Sequence, residues 1–66
     1  MSVLKVIEVM SNSTKSWEDA AAKGVAKASK SLRGVRSAHV VHQSLVVEEG
    51  KVTEYRVTLK LSFELE

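Results

Sequence analysis

From Tyr55 to Leu65 every second residue is apolar: Tyr55, Val57, Leu59, Leu61, Phe63 and Leu65 alternate with Arg56, Thr58, Lys60, Ser62 and Glu64. A period of two marks a strand with one buried face, because successive side chains point to opposite sides of an extended backbone. Read from Lys51 to Glu66, such a strand reaches about 50 Å if straight, at ~3.3 Å per residue. The rest of the fold has to cover that apolar row, and it has little material with which to do so. The chain has 66 residues, and a chain of this size buries only ~60% of the surface its unfolded form exposes. It has no cysteine and two histidines, which removes disulfides and weakens a structural zinc site as staples. Oligomerisation is the staple that remains.

The other elements follow from local pattern. Val3 to Met10 is short and rich in β-branched residues, which reads as a strand. Leu4, Val6 and Met10 on one side and Val3, Ile7 and Val9 on the other leave both its faces apolar, so both call for cover. Ser11 to Lys15 reads as a polar loop. Ser16 stands three residues before Asp19, a relative of the capping box, with Ser13 as the competing cap. From Trp17 to Arg33 the spacing predicts a helix, with Trp17, Ala20, Ala21, Gly24, Val25, Ala28 and Leu32 on one stripe. Lys23, Lys27 and Lys30 lie on its other side, and Gly34 terminates it. Arg36 to Glu48 reads as a second strand, joined to the third by a hairpin turn at Glu49-Gly50.

The expected fold is therefore α+β: a single β-α-β-β domain over residues 1–66, with a three-stranded antiparallel sheet wrapped around one helix. A right-handed crossover makes strands 1 and 2 parallel, and the simplest sheet places strand 3 between them. The helix spans about 25 Å at ~1.5 Å per residue, half the reach of strand 3, and its stripe is mostly alanine. Further copies of the chain are the economical cover for what it leaves exposed.

Charge and composition exclude several functions. The net charge of +2 does not imply nucleic acid, and no apolar run approaches the ~20 residues of a membrane span. The start, with Lys5 and Glu8 inside it, is a poor signal peptide, so the cytoplasm is the expected location. The serines lack an elbow motif, the three glycines are isolated and form no phosphate loop, and no nucleophile–base constellation is present. The chain is not expected to be an enzyme.

The hairpin register carries more information. With Glu49-Gly50 as the turn, Gln43 is expected opposite Arg56 and Ser37 opposite Ser62. Ser37, His39, Val41 and Gln43 then share the polar face of the sheet with Arg56, Thr58 and Lys60. His39 and His42, three apart in a strand, are expected on opposite faces and form no two-histidine site within one chain. They read as ordinary strand residues, unless symmetry brings copies together. The lysine row on the helix reads as a solvated face.

Taken together, the segments resemble the dodecin family over nearly the whole chain. The features are Leu4-Lys5-Val6-Ile7-Glu8 near the start, Ser16-Trp17-Glu18-Asp19-Ala20-Ala21 opening the helix, and Ala28-Ser29-Lys30-Ser31-Leu32-Arg33 closing it. The hairpin Glu48 to Val52 and the ending Val57 to Glu66, with Phe63 and Leu65, complete them. The resemblance implies a hollow homododecamer that binds flavin, riboflavin or FMN, as a small-molecule ligand without catalysis. In that family tryptophans from related chains stack on the flavin rings and a glutamine of the last strand hydrogen-bonds them. Here the tryptophan position falls on Ser37, the glutamine position on Arg56, and a nearby acidic position on His42. Ring stacking is worth ~1–3 kcal/mol per ring in nucleic-acid systems, so losing two indoles weakens flavin binding by about a hundredfold. The Ser-Trp-Glu-x-Ala-Ala opening is similar to a branch that lacks the tryptophan and binds calcium, so calcium or another metal ion is the alternative cofactor. Arg56 suits an anionic ligand instead. Ser37, Arg56 and Gln43 are the candidate ligand-site residues. No nucleic-acid or membrane partner is expected.

Overall fold

A computed structural model of the chain describes residues 3–65. Four elements follow in the order β1 (Leu4–Ser13), α1 (Trp17–Ser31), β2 (Val35–Glu48) and β3 (Lys51–Glu64). The sheet order is β1-β3-β2, and β3 is antiparallel to both neighbours. β1 and β2 therefore run the same way, as the β-α-β-β reading requires. Of the two residues expected to end β3, Leu65 lies just past the strand and Glu66 lies outside the described residues.

The helix begins where the capping signal placed it. Ser16 is the N-cap, and its Oγ accepts from the Asp19 amide at 2.9 Å. Ser13 is not a cap. Its hydroxyl donates to Asp19 Oδ2 at 2.5 Å and accepts from the Lys15 amide at 2.9 Å, which closes the β1–α1 turn. The helix ends two residues earlier than Arg33. Leu32 turns extended, its amide still bonded to the Ala28 carbonyl at 2.9 Å, and Gly34 takes the left-handed conformation with φ +70°. At the hairpin tip Glu49 (φ 52°) and Gly50 (φ 76°) are both left-handed. That is the backbone of a type I′ turn, whose twist matches the strands it joins.

The core is small. Ala20, Val57, Leu59 and Leu61 are buried, with Ile7, Val9, Trp17, Ala21, Val25 and Ala28 packed around them. The helix stripe and the middle of the alternating row therefore meet as expected. The helix packs mainly on β1 and β3 and barely touches β2. The chain is 50 Å long and only 14 Å thick, because β3, at ~3.3 Å per residue, outruns a helix that rises ~1.5 Å per residue. Leu65 stays 49% exposed at one end, and Leu45, Val47 and Val52 are exposed toward the hairpin tip. β1 shows the two apolar faces read in its sequence: Ile7 and Val9 join the core, whereas Leu4, Val6 and Met10 are exposed.

Two local expectations are corrected. β1 does not stop at Met10. Ser11, Asn12 and Ser13 continue it, paired with Val57, Arg56 and Tyr55. The β2–β3 ladder is not a continuous hairpin register. It shifts between Val46 and Val47, between Val40 and His42, and between Val35 and Ser37, leaving Thr53 extra on β3 and Val41 and Arg36 extra on β2. Such bulges bend the strand and increase its twist.

Candidate functional site

The polar face of the sheet, opposite the helix, is built from three strands in register. Ser37 stands across from Ser62, His39 from Lys60, His42 from Thr58 and Ser44 from Arg56. On the other side of β3, Glu8 stands across from Lys60, Met10 from Thr58 and Asn12 from Arg56. Residues paired across a ladder share a face, so these side chains form one surface.

Ser37 and Arg56 are on that face, as expected, and Ser37 is opposite Ser62. The two shifts nearer the tip account for this: the extra Thr53 on β3 moves the register by one residue and the extra Val41 on β2 moves it back. Between the two shifts the simple register fails. Gln43 pairs with Val57, not with Arg56, so it belongs to the helix side of the sheet and leaves the polar face. Ser44 takes its place beside Arg56. The histidines are corrected by the same bulge: with Val41 extra, His39 and His42 both lie on the polar face instead of on opposite faces.

The face is ordered by hydrogen bonds at both ends. The hydroxyls of Ser37 and Ser62 are hydrogen-bonded to each other. Arg56 Nε donates to Asn12 Oδ1 at 2.9 Å, which orients the guanidinium and leaves its terminal nitrogens for other acceptors. Beyond Ser37, Arg36 and Glu64 form an ion pair at 2.7 Å. Asn12 was not legible as a site neighbour, because the strand carrying it reads as a loop. Its polarity alternates with Ser11 and Ser13 no differently from a linker.

Ser37 and Arg56 share the face but not a pocket. Arg56 is six residues along β3 from Ser62, the partner of Ser37, a separation of about 20 Å at ~3.3 Å per residue. Two concavities among the described residues lie elsewhere. One of about 420 Å³ runs between β1 and α1, lined by Met10, Asn12, Lys23, Lys27 and Ser31 among others. Another of about 320 Å³ is lined by Arg33, Gly34, Arg36, Glu64 and Leu65. The lysine row is thus partly engaged: Lys23 borders the first groove and pairs with Asp19 at 3.1 Å. The Asp19 carboxyl is held below its ordinary range, first by the Ser13 hydroxyl and then by Lys23. Among the described residues no group of three or more His, Cys, Asp or Glu is placed to hold a metal ion, and no helix is long and apolar enough to cross a membrane.

The family model described as Dodecin matches residues 3–66. The chain is 44% identical to the calcium dodecin of Mycobacterium tuberculosis, over 98% of this chain and 92% of that one. Among solved structures it is similar to the dodecin of Streptomyces coelicolor, with TM-score 0.93 and 32% identity over 98% of this chain and 93% of that one. It is also similar to the crystal structure of the calcium dodecin of M. tuberculosis, with TM-score 0.86 and 41% identity over 98% and 93% of the two chains. The β-α-β-β order, the buried alternating row and the full-length match agree, and the chain belongs to the dodecin family.

Proposed function

We propose that the chain is the single-domain subunit, over residues 1–66, of a cytoplasmic homododecamer that binds or stores a small ligand and catalyses no reaction. The observation that carries this reading is the position of Ser37 and Arg56, on one face and about 20 Å apart, so a ligand meeting both kinds of position has to bridge copies of the chain. The uncovered apolar surface supports the same assembly: Leu4, Val6 and Met10 on β1, and Leu45, Val47 and Val52 near the hairpin tip, are each 45–62% exposed. Burying them between chains is worth ~25 cal/mol per Å² of apolar surface, in a subunit whose core, among the described residues, centres on the buried Ala20, Val57, Leu59 and Leu61.

In this reading flavin is a weakened ligand. Ser37 offers a hydroxyl, already engaged with Ser62, where an indole would stack. Arg56 offers a cation with free N–H donors, which favours FMN or another anionic ligand over riboflavin. The second reading is calcium, favoured by the relative at 44% identity that is named for it and whose crystal structure is described as having a novel calcium-binding site. Calcium takes 6–8 oxygen ligands, so in this chain the ion would be held between copies, as the flavin would be.

The test is a parallel titration of the purified assembly, its mass first fixed by light scattering. A mass of one chain removes the proposal. FMN and riboflavin are followed by flavin fluorescence, and calcium by the shift of the melting curve against chelator. Binding of FMN more tightly than riboflavin supports the first reading. A calcium-dependent melting curve with unquenched flavin supports the second.

A further inference from the structure

Val41 is the extra residue in the β2–β3 ladder: Val40 pairs with Leu59 and the next pair is His42 with Thr58. Without it, two histidines three positions apart would point to opposite sides of the sheet. With it, His39 faces Lys60 and His42 faces Thr58. Lys60 and Thr58 are alternate residues of β3, so both imidazoles lie on the polar face with the separation of alternate strand residues, about 6.6 Å. Both histidines are exposed, so neither has to leave its packing to bind.

From this we infer that His39 and His42 form a two-imidazole chelate for a borderline transition-metal ion such as Zn²⁺ or Ni²⁺. Imidazole nitrogens coordinate Zn²⁺ at about 2.0–2.1 Å, and two side chains at alternate strand positions reach one ion from the same side. Imidazole selects zinc, nickel and copper over calcium, which prefers oxygen. The site is thus chemically distinct from a calcium site and does not depend on the flavin reading. The charges around it set its strength. Lys60 opposite His39 opposes a cation, and Arg56 lies beyond Thr58 on the same strand and face. Glu8, across from Lys60 on β1, offsets that charge. The remaining positions on the metal are left to water, since among the described residues no third His, Cys, Asp or Glu joins the pair in a group placed to hold a metal ion. The result is an open site, accessible to exchange, not a structural cage.

The experiment titrates zinc chloride and nickel chloride into the full chain in its assembled form, by calorimetry, alongside the His39→Gln and His42→Gln variants. The expected result is binding near one ion per chain, weakened roughly tenfold or more by either substitution, because each removes the chelate and leaves one ligand. Excess calcium does not displace the metal. In the unaltered protein, NMR follows both histidine rings, which have to shift together as zinc is added. No binding, binding unchanged by either substitution, movement of one ring alone, or displacement by calcium overturns the inference.

Discussion

The indole N–H of Trp17 donates to the backbone carbonyl of Ser44 at 3.1 Å. This joins the first residue of the helix to the strand position that faces Arg56. The same indole meets Tyr55 edge to face, ring centroids 5.3 Å apart. The helix makes few contacts with β2, and Trp17 ties it to the β2 half of the hairpin. Trp17→Phe keeps an aromatic edge on Tyr55 and deletes the hydrogen bond. Because that bond is exposed, the expected loss is at the low end of the usual range, about 0.5–1 kcal/mol in denaturant unfolding. Trp17→Ala removes the ring as well and lowers stability by roughly 2–3 kcal/mol. Equal losses for the two variants would show that the ring packing contributes nothing.

Gly24 sits on the helix face packed against the sheet. A Cβ added there meets Leu59 Cδ1 and Ser11 Cβ, both at 3.0 Å. The leucine methyl is flexible, but Leu59 is fully buried and the Ser11 Cβ is fixed to the backbone of β1. Helix propensity alone favours alanine over glycine by ~0.8–1 kcal/mol. The contact reverses that preference: Gly24→Ala is expected to destabilise by about 1–2 kcal/mol, and Gly24→Val by more, as overpacking does. Chemical denaturation of both variants checks this, and a Gly24→Ala variant more stable than the parent would refute it.

Most local signals and the strand order were legible in this sequence, and the irregularities of register were not. Ser16 capping Asp19, the Glu49-Gly50 turn and the alternation from Tyr55 to Phe63 each depend on neighbours a few residues away, and each is found as read. The bulges at Arg36, Val41 and Thr53 depend on how two long strands twist past each other. No single residue announces them. Ser37 was matched to Ser62 because two shifts cancel, and Gln43 was misplaced because it lies between them. The polar end of β1 was missed for a related reason. Ser11, Asn12 and Ser13 have the composition of a loop, and only the length of β3 beside them makes them a strand.

Asp19 gives the fold a pH dependence with a definite sign. Its carboxylate accepts from Ser13 and pairs with Lys23, and both lower its folded pKa below the unfolded value. A depressed carboxylate contributes stability above its unfolded pKa, and that contribution is lost as pH falls through the folded pKa. Asp19→Asn is therefore expected to lower the melting temperature at neutral pH and to match the parent once the pH is well below the carboxylate range. Salt narrows the neutral-pH gap by screening the Lys23 partner. Melting curves that differ equally at neutral and strongly acid pH would locate the effect elsewhere, for example in the turn at Ser13.

The sharpest test of the ligand face changes its chemistry without changing its backbone. Ser37 is exposed, and its hydroxyl is bonded to that of the half-buried Ser62, so a large ring at this position displaces no core residue. Arg56 is half-buried and tied to Asn12, and glutamine retains a hydrogen-bonding head on a shorter stem. If copies of the chain bring these positions together around a ligand, Ser37→Trp should create the missing stacking surface. It is expected to tighten riboflavin and FMN by about a hundredfold, from ~1–3 kcal/mol per ring with two rings engaged. Arg56→Gln should act differently on the two flavins. Removing the cation weakens FMN relative to riboflavin, because the phosphate loses a charge-assisted partner. Flavin fluorescence titrations of the two single variants and the double variant separate the effects. A Ser37→Trp assembly that leaves flavin emission untouched would place the ligand site away from this face. An Arg56→Gln variant with an unchanged FMN-to-riboflavin ratio would remove Arg56 from it.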